Sequence, residues 1–298
     1  MMNQRSTALR RMGKLRLVLI LTSSYFVVQI LGGLLTGSLA LIADAGHMLT
    51  DIAGLTLSLL AVSFTRNPAT PQKTYGFYRM EILATLANSV VLISISVYII
   101  FEAYQRILVP AKINAFPMIF IASLGLVVNL ISLKLLSHSH GGLDSKDENL
   151  NIRTASLEVL SDALGSIGVI VAGIIIVFSG LNLADPIASI AIAIFILPRT
   201  WSLMKKSIHI LMEGVPVNIS HDEVKKAIMG VKGVTGIFEL HIWSITSGLD
   251  ALSAHVVIID PGKSISILKE INSIIENKFG IHHSTIQIET YHSDNDSV

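Results

Sequence analysis

Apolar side chains run almost unbroken between residues 15 and 211, in six stretches separated by short polar breaks. The stretches are 15–36, 39–65, 80–104, 115–137, 153–179 and 184–211. Each supplies the roughly 20 mostly apolar residues that cross a bilayer as a helix, so the pattern predicts six transmembrane helices. The last opens on Asp185-Pro186, a helix-start signal, and contains Pro198 as a candidate kink. From residue 213 the period changes. Helical spacing of apolar residues covers 221–231 and 264–280, and alternation predicts strands at 236–245, 251–260 and 284–291. Helix-strand-strand-helix-strand fits a small α+β sandwich with helices on one sheet face. The segment "PGKS" (261–264) lacks the glycine that opens a phosphate loop, so it predicts a turn and no nucleotide site.

Composition sharpens the division. Hydrophobic residues make up 51% of the 298 and charged residues 14%, well under the about 25% charged of a soluble domain. Residues 1–212 carry 16 Lys+Arg against 10 Asp+Glu, and residues 213–298 carry 6 against 11. We therefore expect a transmembrane domain over 1–212 and an acidic cytoplasmic domain over 213–298. A net charge of +1 without a basic stripe excludes nucleic-acid binding. The absence of cysteine excludes disulfides, thiolate metal sites and cysteine nucleophiles. No small-residue cleavage site follows the first apolar run, so no cleaved signal peptide is expected. Short loops and flanks on the side of the N-terminus hold 11 Lys and Arg, against 2 on the other side. By the positive-inside rule both ends are expected in the cytoplasm.

Ionisable residues inside the predicted spans carry the chemistry. Asp44, His47 and Asp51 recur at i, i+3 and i+7, within an arc of about 60° on one helix. Glu158 and Asp162 recur at i, i+4 in span five. Three intramembrane carboxylates cost on the order of 8–10 kcal/mol if unpaired, and no Lys or Arg lies at their depth in any predicted span. A metal cation or exchangeable protons are the expected partners. One imidazole and three carboxylates can close a four-coordinate site of the kind Zn²⁺ accepts. "HMLTDIAG" (47–54) and "EVLSDALG" (158–165) repeat one pattern: a ligand type, three residues, Asp, two residues, Gly. Outside the spans, the polar loop 137–149 holds His138 and His140, readable as solvated residues or as transient metal captors. Glu81 and Glu102 are expected in interfacial salt bridges with Arg79 and Arg106. Six of the ten histidines lie beyond residue 213.

With these residues in hand the chain resembles the cation diffusion facilitator family, zinc-transporter type. The motifs that carry the likeness span nearly the whole sequence: "SLALIADAGHMLTD", "TYGFYRMEILATLAN", "EAYQRI", "DALGSIGVIVAG", "ADPIASI", "SIHILMEGVP", "LHIWSITSG", "LSAHVVI" and "STIQIE". The resemblance implies a six-span, homodimeric metal/proton antiporter with a ferredoxin-like, metallochaperone-like cytoplasmic domain. It implies a transport site of His47, Asp51 and Asp162. Glu158 stands where zinc-selective relatives usually have histidine, which makes the site harder and more open to Mn²⁺. The loop "TRNPATPQKTYG" has no His or Asp, so the additional loop site of some relatives is not expected. In the cytoplasmic domain the resemblance points to His241, His255, His282 and Glu289 as ligands, with His283 as the alternative to His282.

The expectation is a non-enzymatic, proton-coupled exporter of divalent cations. Zn²⁺ comes first, with Cd²⁺, Co²⁺ and Mn²⁺ as candidates. The chain would work by alternating access in a bacterial inner membrane, its partners being the cations, protons, the lipid bilayer and a second copy of itself. A membrane metal-dependent hydrolase would need an open metal position and a base, commonly as H-E-x-x-H, and no such motif occurs. A passive metal channel differs only in lacking coupling.

Overall fold

The computed structural model describes residues 2–64, 70–137 and 146–290. Within them, side chains at 2–16, 50, 51, 54, 55, 57–64, 133, 135–137 and 146–162 fall outside the description. Six long helices come first: α1 (Met2–Thr36), α2 (Leu39–Phe64), α3 (Arg79–Leu108), α4 (Ala115–Ser137), α5 (Lys146–Ser179) and α6 (Ala184–Leu211). Two differ from the sequence expectation. α1 begins at Met2 and α5 at Lys146, because the polar flanks at both places continue the helix of the apolar run behind them. The expected 137–149 loop is therefore shortened, and His138 and His140 lie outside the described residues. α6 runs through Pro198 without a break.

Among the described residues four helical segments are long and apolar enough to cross a membrane: Leu17–Thr36, Arg79–Leu108, Ala115–Ser132 and Ala184–Leu211. The described apolar parts of α2 and α5, Leu39–Leu49 and Ala163–Ser179, are shorter. Large apolar side chains such as Phe116, Phe120 and Phe178 face outward on the helices. A hydrocarbon solvent reverses the penalty that water would impose on such a surface.

The chain divides into two compact units, 1–68 with 84–204, and 69–83 with 205–298. The core of the first is rich in small residues. Ala40 and Ala43 of α2, Ala103 of α3, Ala122 of α4, Ala172 of α5 and Ala193 of α6 pack with Leu39, Leu41, Ile99, Met118, Val169 and Ile196. Small side chains let helix backbones approach closely where lipid offers no hydrophobic drive for association. Gly32 and Gly125 do the same for α1 and α4. A Cβ on Gly32 would strike Ile121, and one on Gly125 would strike the ring of Tyr25, whose hydroxyl donates to the Ile121 carbonyl at 2.7 Å.

The second unit holds α7 (His221–Met229), β1 (Val234–Thr246), β2 (Leu249–Ile258), α8 (Ser264–Phe279) and β3 (His283–Glu289). The "PGK" turn is one turn of 3-10 helix at Pro261–Lys263. Ser220 caps α7 by accepting the Glu223 N–H, and Gly280, at φ 70°, ends α8 in the left-handed conformation that glycine adopts without strain. The strand order is β1-β2-β3, with β1 antiparallel and β3 parallel to β2. Val224 and Ile228 of α7 and Ile267, Ile271 and Ile275 of α8 cover one sheet face, meeting Ile242, Leu252, Ala254, Val256 and Ile258. Alternation along the strands turns His241, Ser253, His255 and Glu289 to the face opposite those helices.

Candidate metal centre

His47 lies on α2 with 8% of its surface exposed. It is buried because α2 packs against α1 and α5 along this stretch, one turn after Asp44. Asp51 sits on α2, and Glu158 and Asp162 on α5. Their side chains lie outside the described residues.

Asp44 shows how α2 and α5 meet. Gln29 of α1 donates its amide N–H to Asp44 Oδ2 at 2.6 Å, and Ser166 of α5 donates its hydroxyl to the same oxygen at 3.3 Å. A Cβ built on Gly165 would lie 2.5 Å from Asp44 Oδ1, so the close approach of α5 to this carboxylate requires glycine. α1 and α4 meet through Tyr25 against Gly125 and Gly32 against Ile121, and α1 turns into α2 over two residues.

A second buried carboxylate fixes the start of α2. Asp185 at the first turn of α6 accepts the Ser38 hydroxyl at 2.5 Å, the Leu39 N–H at 2.8 Å and the Ala40 N–H at 3.1 Å. Asp185-Pro186 reads in the sequence as the opening of its own helix. In the structure the side chain caps a different one. No local signal could have found this, because the partners lie more than 140 residues apart. Arg106 holds the same corner by donating to the Gly37 carbonyl, while its Nε pairs with Glu102 at 3.0 Å as expected. Arg79 is found on Glu213 at 2.8 Å, and Glu81 accepts the Thr246 hydroxyl at 3.2 Å.

In the second unit His255 and Glu289 meet directly, Nδ1 to Oε1 at 2.7 Å. β3 runs parallel to β2 with His255 opposite Gln287, so Glu289 is its diagonal neighbour on the same face. Gln287 donates to the same Glu289 oxygen at 2.8 Å. Glu239 approaches from the other side, its Oε2 3.7 Å from His255 Nε2. Glu239 was missed in the sequence. It sits in a bulge between Phe238 and His241 with φ 46°, and strict alternation would have turned it elsewhere. Its buried Oε1 accepts no hydrogen bond among the described residues.

His241 pairs in register with Ser253 and lines a cleft of about 660 Å³ with Trp243, Tyr75 and Arg79. His282 precedes β3, with Nδ1 3.2 Å from Glu276 of α8. His283 pairs in register with Ala251, which puts it on the strand face that carries Glu289. Among the described residues no three His, Asp or Glu side chains form a metal-sized cluster.

Long apolar helices enclosing ionisable side chains, followed by a small α+β unit, define an integral membrane protein. Residues 15–212 match the family model described as the cation efflux transmembrane domain, and residues 216–291 match the cytoplasmic domain of cation efflux proteins. The chain belongs to the cation diffusion facilitator family, zinc-transporter type. It is 46% identical over 282 residues to the cadmium, cobalt and zinc/H(+)-K(+) antiporter of Bacillus subtilis (strain 168), covering 94% of this chain and 89% of that one. It is 41% identical over 278 residues to the metal cation efflux system protein CzcD of Cupriavidus metallidurans, covering 92% and 85%. To the zinc transporter ZitB of Escherichia coli (strain K12) it is 39% identical over 269 residues, covering 90% and 84%.

Proposed function

We propose that this chain is a proton-coupled exporter of divalent metal cations, Zn²⁺ foremost, working by alternating access across six transmembrane helices with both termini in the cytoplasm. The relatives' names speak of metal cation efflux, of zinc transport and of cadmium, cobalt and zinc antiport. On this reading residues 1–212 are the transport domain of a bacterial inner-membrane protein. Residues 213–298 form a ferredoxin-like cytoplasmic domain that dimerises and senses metal. The protein carries its substrate without catalysis.

The observation that carries the reading is the meeting of Asp44 with Gly165. In an antiparallel pair, each residue gained along one helix is matched by one lost along the other. Continuing from that contact brings position 47 level with position 162, and position 51 level with position 158. His47, Asp51, Glu158 and Asp162 then occupy two successive turns of facing helices, the arrangement a four-ligand site needs. His47 supplies a nitrogen of borderline softness and the carboxylates supply charge. Binding requires all four groups deprotonated, so a cation entering from the cytoplasm displaces protons. Protons from the outer side reverse the exchange and reload the site for the next cycle.

In the cytoplasmic domain His255, held between Glu289 and Glu239, offers the strongest donor set, with His241 on the same face. The strand register favours His283 over His282 as the further histidine.

Purified protein in proteoliposomes tests the coupling. An imposed pH gradient is expected to drive Zn²⁺ accumulation, and alanine at Asp51 or Asp162 is expected to abolish it. Zn²⁺ movement indifferent to the pH gradient would reject the antiporter and favour a channel. Turnover of peptide or lipid by the purified protein would favour a hydrolase.

A further inference from the structure

We propose that the cleft beside Trp243 binds the headgroup of an anionic glycerophospholipid of the cytoplasmic leaflet, with Lys73 and Arg79 holding its phosphate. The inference rests on the reading above, in which α3 starts and α6 ends at the cytoplasmic face of the membrane. The cleft lies wholly within the second unit. Its volume of about 660 Å³ is that of a small-molecule pocket. One wall is a built loop. Thr70 and Lys73 exchange two backbone hydrogen bonds, at 3.2 and 3.0 Å, and the Gly76 N–H returns to the Lys73 carbonyl at 2.8 Å. Gly76 closes that turn at φ 70°, a conformation open to glycine. The Lys73 ammonium rests 4.3 Å from the centre of the Phe77 ring. Arg79 is fixed by Glu213 at 2.8 Å.

The lining is rich in donors. Lys73 and Arg79 can only donate, and Thr74, Tyr75, Tyr78 and Ser253 bring hydroxyls. Among the described residues Glu213 is the one carboxylate on the lining, and Arg79 engages it through a single nitrogen of a guanidinium with five N–H donors. Such a set suits a phosphate oxyanion. Position selects a lipid over a dissolved phosphate. Arg79 is the first residue of the apolar span Arg79–Leu108, and Glu213 follows the span Ala184–Leu211 by two residues. Both therefore stand at the headgroup layer. Tyr75 and Tyr78 are 59% and 42% exposed, at the depth where interfacial belts carry tyrosine. Met80 and Met212, the sequence neighbours of Arg79 and Glu213, are exposed apolar side chains. They offer contact to the first carbons of an acyl chain and nothing to a free anion. Basic pockets at cytoplasmic helix ends take anionic headgroups for these reasons.

Full-length protein in phosphatidylcholine nanodiscs tests the site, with Trp201→Phe leaving Trp243 in the cleft as the one tryptophan. Short-chain phosphatidylglycerol is expected to shift the Trp243 emission saturably. Short-chain phosphatidylcholine and inorganic phosphate are expected to give no saturable shift over the same range. Lys73→Ala is expected to raise the half-saturating concentration about fivefold, and Lys73→Glu at least about twentyfold. Lys73 is exposed on its loop. If its reversal disturbs that loop, Tyr75→Ala, at an equally exposed position, carries the test and is expected to weaken binding several-fold. A phosphatidylglycerol response that is absent, or unchanged in these variants, overturns the site. Equal saturation by inorganic phosphate overturns the lipid assignment. Zn²⁺ flux is read separately in phosphatidylcholine proteoliposomes and keeps the two readings apart. Flux without a lipid response defeats the cleft alone, and a lipid response without flux defeats the export reading alone.

Discussion

Asp185 of α6 accepts the Leu39 N–H of α2 at 2.8 Å, so the carboxylate of one helix caps the N-terminus of another. The first N–H groups of a helix have no partner within it, and the hydrocarbon offers no water to replace one. The cap holds the helix that carries His47 at a fixed height. Asp185→Ala strands the Leu39 and Ala40 N–H groups and the Ser38 hydroxyl. We expect a loss of about 2–4 kcal/mol, read as thermal or denaturant unfolding in nanodiscs. Asp185→Asn is expected to lose less, because one oxygen can still accept.

Gly165→Ala is expected to be disproportionately harmful for a single methyl group. The new Cβ would fall 2.5 Å from Asp44 Oδ1, inside any real contact distance, so α5 or the carboxylate must move. Overpacking of this kind costs about 1–3 kcal/mol. The registry of α2 against α5 is lost with it. Zn²⁺ flux is expected to fall more steeply than stability. Gly168→Ala makes the control, since nothing within 4 Å meets a Cβ there.

Glu158→His is expected to shift the metal ranking. The carboxylate makes the proposed site harder and more anionic than one with two imidazoles. Calorimetry with Zn²⁺, Cd²⁺ and Mn²⁺ should show the histidine variant gaining for Zn²⁺ and Cd²⁺ relative to Mn²⁺. An unchanged ranking would show that Glu158 does not touch the ion.

Metal added to the full chain is expected to stabilise the second unit through the proposed ligands His255 and Glu289. Free Zn²⁺ at a hundred times its Kd contributes about 2.7 kcal/mol to a state that alone binds it. Thermal unfolding followed at Trp243 should shift upward with Zn²⁺ and return with chelator. His255→Ala and Glu289→Gln are each expected to remove most of the shift.

The second unit was legible because its signals are local. Alternation gave the strands and apolar spacing gave α7 and α8. In β1, Glu239 escaped notice because the bulge before His241 breaks the period that made the rest readable. His282 and His283 could not be separated from sequence, since a one-residue shift exchanges the two faces of a strand. The register of β3 against β2 sets His283 opposite Ala251 on the face of Glu289, and His282 precedes the strand.

The sequence by itself determined that six apolar runs would form helices and that His47, Asp51, Glu158 and Asp162 would recur at helical spacing. Hydropathy and period are properties of neighbouring residues, and helix hydrogen bonds close within four positions. The tertiary structure alone decided which helices touch and at what height. Asp44 could meet Gln29, Ser166 and Gly165, and Asp185 could meet Leu39, only once chain segments far apart in sequence had packed. Hydrogen bonds between helices depend on that packing, and no local pattern encodes it.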